Sequence, residues 1–385
     1  MLRILFIFWI HCITVVMQPV NYLITATKII RRYISSKTVE NIGMRSKLRS
    51  LLKPIPIGVG VSILTVLRWQ YNRNKEEACP AKTWQVTCYR AIPLRSLSRM
   101  WGWMMNKELP ASLRPWFFSA YASVFGCNLE EAINEDLRSY ATFAEFFCRQ
   151  LKEGVRPIDA AYVVSPADGR VMNIGKVESC HVEQVKGITY SLTDFLGEPS
   201  WTKGRNELSS SVMDSGDYCR SLCENENTVL HQCVIYLAPG DYHRFHSPVD
   251  WTVCFRRHFK GELLSVNPKV AKWVPNLFSL NERAVYVGRW KHGFFSMTAV
   301  GATNVGSIHV YFDPNLVTNK GKKKGAKTND QHFNFDQKVS LQKGEPFGEF
   351  RLGSTIVLIF EAPADFQFQT ATGERTFVGK ALSDT

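Results

Sequence analysis

The sequence lacks the features of a secreted, disulfide-stabilised protein. Its ten cysteines are scattered over 385 residues at irregular spacings, and no Asn-x-Ser/Thr glycosylation acceptor occurs. Small secreted domains instead carry closely and regularly spaced cysteines that form a disulfide framework. We therefore exclude a secreted disulfide scaffold.

The sequence also lacks the short motifs of common hydrolases and cofactor-binding enzymes. It contains no Gly-x-Ser-x-Gly, His-Glu-x-x-His or Gly-x-Gly-x-x-Gly motif and no protein-kinase signature. A group of possible zinc ligands has a spacing that does not match known zinc sites; it consists of Cys219, Cys223, His231 and Cys233. We therefore predict no metal centre.

Acidic residues are scarce at the N-terminus. Residues 1–53 contain nine Lys and Arg residues but only one acidic residue, Glu40, so they hold +8 of the formal net charge of +13. The same region contains the most apolar sequence of the chain. Basic clusters next to apolar runs are typical of segments that bind anionic membranes, so we predict a membrane partner and no nucleic acid.

Two apolar runs divide this N-terminal region. Residues 4–27 have no charged side chain, and the basic stretch after them, with its Ser and Thr residues, is similar in composition to a mitochondrial presequence. We interpret residues 1–50 as an apolar leader and basic targeting segment. Residues 51–71 reach membrane-spanning length if Lys53 and Arg68 extend their charged ends to the interface, and they predict a transmembrane anchor.

The positive charge of the targeting segment also predicts a topology. Basic residues stay on the inner side of a membrane, which would place everything after Tyr71 on the opposite side. In a mitochondrial inner membrane the folded domain would then face the intermembrane space. The unusual leader leaves the endoplasmic reticulum or a lipid droplet as an alternative destination.

The remainder of the chain changes its hydrophobic period near Val163. Residues 90–150 predict amphipathic helices whose aromatic side chains, between Trp101 and Phe125, either pack in the core or lie against lipid headgroups. From Val163 onward, short β-branched and aromatic runs alternate with turn residues. The pattern predicts an α+β fold with a β-rich, barrel-like antiparallel core, and it predicts a surface insertion over residues 197–228.

Three separate segments carry groups that are capable of acid–base or nucleophilic chemistry. The first is Ser-Pro-Ala-Asp168-Gly-Arg, the second is Tyr-His243-Arg-Phe-His246-Ser-Pro, and the third is Leu-Gly353-Ser354-Thr. Each segment is a weak signal by itself, because turn carboxylates and structural histidines are common. Together they indicate an aspartate that orients a histidine, which in turn activates a serine.

With these motifs the chain resembles the phosphatidylserine decarboxylase proenzymes of the mitochondrial type. The resemblance covers residues 95–362 and implies a decarboxylase domain over residues 72–385. It further implies that the Gly353–Ser354 bond is cleaved by the protein itself. The products would be a β chain of residues 1–353 and an α chain of residues 354–385, which stay together as a heterodimer.

The resemblance also implies the cofactor and the roles of the site residues. Ser354 would become a covalent pyruvoyl group, which forms a Schiff base with phosphatidylserine and yields phosphatidylethanolamine and CO2. His246 would be the base that takes the Ser354 proton, and Asp168 would orient it. His243 is our candidate for the acid that protonates carbon after CO2 departs.

Two other classes of function stay open at this stage. A lipid-binding or tethering protein with an inactive site would keep the anchor and the helices but would not cleave itself. A serine hydrolase would keep Ser354 as an intact nucleophile. The partners expected for the decarboxylase are phosphatidylserine and membrane lipid.

Overall fold

A computed structural model of the chain describes most of the domain that follows the N-terminal region. The described residues are 81–185, 188–202, 215–303, 307–320, 328–333, 339–351 and 353–384. The predicted leader (1–50) and anchor (51–71) lie outside them. Within the described residues, no helix combines the length and the apolarity needed to cross a membrane.

Helices dominate the first part of the described chain, as the sequence predicts. The α-helices are α1 Thr83–Ala91, α2 Leu94–Met105, α3 Arg114–Phe125, α4 Phe143–Phe147, α5 Leu192–Leu196, α6 Ser215–Leu222, α7 Pro268–Ala271 and α8 Leu277–Leu280. Helix α3 has Pro115 in its first turn and ends at Gly126, whose φ of +70° suits glycine. Thr142 caps α4 by accepting a hydrogen bond from the Glu145 N–H.

Strands form most of the rest of the domain. They are β1 Gly169–Lys176, β2 His181–Val185, β3 Ile188–Ser191, β4 Thr228–Leu237, β5 Arg244–His246, β6 Trp251–Phe259, β7 Arg283–Trp290, β8 Gly293–Gly301, β9 Ile308–Val310, β10 Thr328–His332, β11 Val339–Leu341, β12 Pro346–Phe350, β13 Ser354–Pro363 and β14 Arg375–Thr376. In the described residues the main sheet runs β10-β6-β7-β8-β13-β4-β1-β14, and β11 also pairs with β6. A second sheet has the order β5-β12-β9, and β2 pairs with β3.

This architecture confirms an α+β fold built on antiparallel pairing. The expected barrel-like closure is absent from the described part of the chain, because the main sheet ends at β10 on one side and at β14 on the other. A barrel requires its first and last strands to pair. Strand patterning alone does not specify that closure, so the sequence could not distinguish an open sheet from a closed one.

Strand β13 lies in the interior of the main sheet and is covered on both faces. Val357 and Ile359 pack into the core on one face, together with residues of α5 and α8. The alternate residues Ile356 and Leu358 pack into the core on the other face, together with residues of the β5-β12-β9 sheet. A strand that is buried on both faces has a continuous apolar sequence, which explains the run that follows Ser354.

The polar segment 197–228 is only partly the surface insertion that the sequence predicts. Helix α6 buries Tyr218 and Leu222, each 2% exposed. Cys219 in the same helix forms a disulfide with Cys180, which is 39 residues away in the chain. The prediction is therefore wrong for α6, because a few large residues on one face of a polar helix are enough to dock it. The disulfide also removes Cys219 from the group of possible zinc ligands.

The turn between β4 and β5 packs closely against α3. The Tyr121 hydroxyl donates a hydrogen bond to the Pro239 carbonyl at 2.7 Å. A Cβ atom added to Gly240 would lie 2.0 Å from the Phe125 carbonyl oxygen. Only a residue without a side chain permits this approach of two backbones.

We expect Gly240→Ala to separate α3 from this turn and to lower the free energy of unfolding by about 1–3 kcal/mol. The thermal midpoint should fall by roughly 2 °C or more. Ser119→Ala, a change at an exposed position of the same helix, should change the free energy of unfolding by no more than about 0.5 kcal/mol. An unchanged midpoint in Gly240→Ala would contradict the packing argument.

Candidate active site

The candidate nucleophile, Ser354, is the first residue of β13. It lies opposite Leu237 of β4 and Gly301 of β8. The side chain is fully buried, and its Oγ makes no hydrogen bond to the described residues. Gly353, directly before it, is buried as well. Buried hydroxyls nearly always have a hydrogen-bond partner, so an unpartnered one is a feature that needs an explanation.

His243 is held in a single tautomer in a fully buried position. Its Nδ1 lies 2.8 Å from the carbonyl oxygen of Asp241, and because a carbonyl can only accept, Nδ1 carries the proton. Nε2 is therefore a free acceptor, and it has no partner among the described residues. The Phe147 ring lies 4.0 Å from the imidazole, measured between centroids. Burial lowers the pKa of His243 to about 3, so the ring is neutral near pH 7.

His246 is also held through its Nδ1, but by a different part of the chain. Its Nδ1 donates to the Gly344 carbonyl at 2.9 Å, and its Nε2 accepts a hydrogen bond from the Tyr242 hydroxyl at 3.3 Å. Burial lowers the pKa of His246, and the charge of Asp168 opposes that shift. Asp168 is thus close enough to favour the protonated imidazole, as expected of a carboxylate that supports a base.

Asp168 makes its direct contacts with an arginine that the sequence did not point to. The carboxylate is 2% exposed, and Arg156 donates to it from Nη2 at 2.6 Å and from Nε at 3.1 Å. The Val378 N–H donates to the same carboxylate at 2.9 Å. Glu131 shares the Arg156 guanidinium at 2.7 Å. In the described residues no hydrogen bond joins Asp168 to His246.

Backbone hydrogen bonds bring the three sequence segments side by side. The His246 N–H donates to the Pro166 carbonyl at 2.8 Å, which joins the second segment to the first. The Phe350 N–H donates to the His243 carbonyl at 2.9 Å, four residues before Ser354. The sequence analysis found the segments but could not show that they meet, since these contacts join residues that are far apart in the chain.

The two histidines face different surroundings because a strand, and not a turn, separates them. Residues Arg244–His246 form β5, and the turn lies earlier, where the Asp241 N–H donates to the Ala238 carbonyl at 2.9 Å. His243 lies against Phe147, whereas His246 contacts Tyr242 and Gly344. The two imidazoles therefore occupy separate environments, which suits different roles.

A second arginine, Arg149, lies near His243 and was missed by the sequence analysis. It is 5% exposed, its Nε makes no hydrogen bond, and no carboxylate among the described residues pairs with it. Its charge contributes to the lowered pKa of His243. The one signal in the sequence is an arginine two residues after the aromatic run of α4, which is also the pattern of an ordinary helix end.

A buried serine, two imidazoles and a buried carboxylate in one α+β core are groups that can perform acid–base chemistry. The sequence profile described as phosphatidylserine decarboxylase matches residues 143–384, more than half of the chain. This chain belongs to the phosphatidylserine decarboxylase family, and the class of enzyme is therefore a carboxy-lyase.

Curated relatives agree with that assignment. The mitochondrial phosphatidylserine decarboxylase proenzyme of Pongo abelii is 48% identical over 346 residues, which cover 86% of this chain and 84% of the relative. The one of Rattus norvegicus is 46% identical, with coverages of 86% and 85%. The mitochondrial proenzyme 1 of Schizosaccharomyces pombe is 39% identical over 389 residues, with coverages of 84% and 89%.

Arg156 should be essential to the folded site because it neutralises a buried carboxylate. The side chains of Arg156 and Asp168 are 14% and 3% exposed. We expect Arg156→Gln to cost about 3–5 kcal/mol of unfolding free energy, which a thermal melt would measure. The double variant Arg156→Gln/Asp168→Asn should recover part of that loss, because it removes the unpaired charge.

The matched control is Arg170→Gln, at an exposed arginine whose guanidinium donates to the Gly373 carbonyl at 3.1 Å and pairs with no carboxylate of the described residues. It should leave the melting temperature nearly unchanged. Equal losses of unfolding free energy in Arg170→Gln and Arg156→Gln would contradict a stabilising role of the ion pair with Asp168.

Proposed function

We propose that the chain is a self-processing proenzyme that converts phosphatidylserine to phosphatidylethanolamine and CO2 through a pyruvoyl group made from Ser354. The observation that carries the proposal is the buried, unpartnered hydroxyl of Ser354 directly after a buried glycine. The names of the relatives support the substrate and the proenzyme state.

Self-cleavage uses groups that the chain itself provides. The Ser354 Oγ attacks the Gly353 carbonyl carbon, the new C–O bond forms, and the C–N bond breaks, which converts the peptide to an ester. Elimination then releases the Gly353 carboxylate, and water replaces the α-nitrogen by oxygen as ammonia leaves. A base must first take the hydroxyl proton. Our proposal assigns this step to His246, whose Nε2 would exchange its hydrogen bond from the Tyr242 hydroxyl for the Ser354 proton, with Asp168 stabilising the imidazolium.

The site residues fit the proposed pyruvoyl group. Because it is derived from Ser354, β13 itself would hold the group between β4 and β8. When formed, the group supplies the electrophilic ketone that holds the substrate amine and takes up the electron pair left on carbon as CO2 leaves. No side chain of the common amino acids provides a ketone, which is the chemical reason for making one.

His243 is our proposed proton donor to carbon, and its surroundings define how it could act. The neutral ring has its free lone pair at Nε2, so it must first accept a proton before it can donate one. The proton would have to reach Nε2 from the bound substrate, and the site would have to stabilise the imidazolium, because burial lowers the pKa of the ring to about 3 and so favours its neutral form.

The two chains would stay associated after cleavage, which supports the proposed heterodimer. The α chain contributes the whole of β13, and all ten residues of that strand are in register with β4. The apolar side chains of β13 reach into both cores. Separation would expose this surface to water at about 25 cal/mol per Å².

The outer face of α2 is our proposed lipid-contacting surface. An ordinary surface helix is polar on its outer side, but α2 also exposes large apolar side chains there. Its inner side buries Leu94, Ser98, Trp101 and Met105. Its outer side exposes Leu97, Met100 and Trp103 by 42%, 58% and 63%, and the Lys107 ammonium lies 4.7 Å from the Trp103 ring. Exposed tryptophan beside lysine is typical of membrane interfaces.

For location we propose the mitochondrial inner membrane, with the domain on the intermembrane-space side. The relatives' names include the word mitochondrial. The Cys180–Cys219 disulfide favours an oxidising compartment over the reducing matrix. The transmembrane anchor at residues 51–71 is part of this proposal. The endoplasmic reticulum and the lipid droplet stay as alternatives that the leader raises.

Ser354→Ala should abolish both cleavage and decarboxylation, because it removes the only precursor of the pyruvoyl group. Intact-mass analysis should find one full-length chain in this variant and two chains in the wild type. The matched control is Ser296→Ala, at a serine that is also fully buried with an unpartnered hydroxyl but does not follow a glycine. It should cleave normally.

The same experiment separates the other functional classes. An uncleaved wild-type chain that reacts with a serine-esterase probe would indicate a hydrolase. An uncleaved chain that does not react would indicate a tether. Normal cleavage of the Ser354→Ala protein into two chains would contradict the proposed role of Ser354 in self-cleavage.

The histidines should respond differently to substitution. His246→Ala and Asp168→Ala should each leave a single chain, because Ser354 then lacks a supported base. His243→Ala should still cleave but should decarboxylate about 10²- to 10⁴-fold more slowly, since a proton donor is lost. The fraction of two-chain protein and the rate of CO2 release measure the two effects separately. An uncleaved His243→Ala beside a cleaved His246→Ala would exchange the two roles.

A further inference from the structure

A small cavity lies between α2 and the segment that leads into Ser354. Its volume is about 150 Å³. Helix α2 and the residue after it contribute Arg99, Trp103 and Asn106 to the lining, and the opposite wall includes Asn319 and Arg351. Pockets that enclose whole ligands are typically about 300–1,000 Å³. This cavity therefore suits one polar group of a larger molecule.

The cavity is positively charged. Two of its lining residues are arginines and none is acidic. Arg99 donates to the Ser96 hydroxyl at 3.0 Å, and no carboxylate of the described residues pairs with it. Arg351 lies 3.4 Å from Glu349, but Glu349 also lies 3.8 Å from Arg244, so one carboxylate is shared by two guanidinium groups. An anion is the ligand that such a lining favours.

The position of the cavity connects the proposed lipid surface to the reaction site. Trp103 belongs both to the cavity lining and to the exposed outer side of α2. Arg351 is three residues before Ser354, and an extended chain of that length spans at most about 10 Å. A lipid whose acyl chains stay beside α2 could therefore place its headgroup in the cavity and its amine near Ser354.

Glu282 fixes the cavity wall relative to the strand opposite Ser354. Its carboxylate accepts a hydrogen bond from the Asn319 N–H at 2.9 Å. Its main-chain carbonyl accepts one from the Gly301 N–H at 2.8 Å, and Gly301 is the β8 residue in register with Ser354. The cavity is thus positioned by the same strand that positions the candidate nucleophile.

We infer that this cavity binds the phosphodiester of the lipid headgroup, with Arg99 and Arg351 as its ligands. The inference rests on the proposed function, which supplies the lipid substrate. Guanidinium groups match the geometry of phosphate oxygens and can donate two parallel hydrogen bonds.

The phosphodiester fits these arginines better than the carboxylate of the same substrate does. The carboxylate leaves as neutral CO2, so a cation that held it would stabilise the ground state and oppose the reaction. The phosphodiester keeps its negative charge throughout. Binding it equally before and during the reaction lowers KM without changing kcat.

The kinetic test uses the full-length enzyme and short-chain phosphatidylserine. Arg99→Gln and Arg351→Gln should each raise KM roughly 10- to 100-fold, the range expected for a lost hydrogen bond to a charged group, while kcat changes little. Arg99→Lys should keep part of the affinity, because it keeps the charge. The control is Arg90→Gln, at an exposed arginine of α1 that pairs with Glu262. It should leave KM unchanged.

Cleavage must be measured in parallel, because Arg351 is close to the scissile bond. The rate is therefore expressed per two-chain molecule. The inference is overturned if both glutamine variants are fully cleaved and keep KM within about twofold of the wild type. It is also overturned if kcat falls and KM does not rise, since that result would place the arginines in the chemical step.

A binding test that needs no activity uses the uncleaved Ser354→Ala protein. Phosphorus NMR line broadening should detect glycerophosphoserine binding, and adding Arg99→Gln should remove most of the broadening. Equal broadening with and without Arg99→Gln would overturn the inference. A wild-type enzyme that releases no CO2 from phosphatidylserine would instead defeat the proposed function, whereas this second test would still decide whether the cavity binds a phosphodiester.

Discussion

The pairing of β13 on both of its edges is the constraint on which the candidate site depends. Ser354 is fixed between β4 and β8 before any side chain is considered. The end of β4 leads into the turn that carries His243, and the end of β8 is tied through Gly301 to Glu282. Ser354, the turn that carries His243 and the cavity wall are thus all connected through the two strands that pair with β13. Side-chain interactions then determine the charge and the protonation state of the carboxylate and the histidines at the site.

A second feature of the site is that several of its buried polar atoms make no hydrogen bond to the described residues. The hydroxyl of Ser354, the Nε2 of His243 and the Nε of Arg149 are all buried without a partner among the described residues. Each such group costs about 1–3 kcal/mol relative to a hydrogen-bonded one. The rest of the site compensates with fully satisfied contacts, of which the Arg156–Asp168 pair is the strongest. A buried polar group without a partner needs an explanation, and a substrate or a chemical step at the site would supply one for these three atoms.

The sequence predicted the elements whose signals are local. The change from helical to strand periodicity near Val163 follows from residues that are close in the chain. Contacts over long separations could not be read in the same way. Neither the Cys180–Cys219 disulfide nor the Arg156 partner of Asp168 has a local signature. The helical pattern likewise did not show which aromatic side chains are buried. Trp101 is buried and Trp103 is exposed, although they are only two residues apart in the chain.

The position of β13 in the middle of the main sheet affects whether the protein can refold after cleavage. Before cleavage, folding is unimolecular, so an unfolded chain can return to the native state by itself. After cleavage at the proposed bond, the middle of the main sheet would belong to a separate peptide, and refolding would require two molecules to meet. The mature protein would then depend on a high barrier to unfolding for its persistence, since an unfolded molecule would lose its partner by dilution. Maturation would thus turn a fold that can re-form after unfolding into one that cannot readily do so.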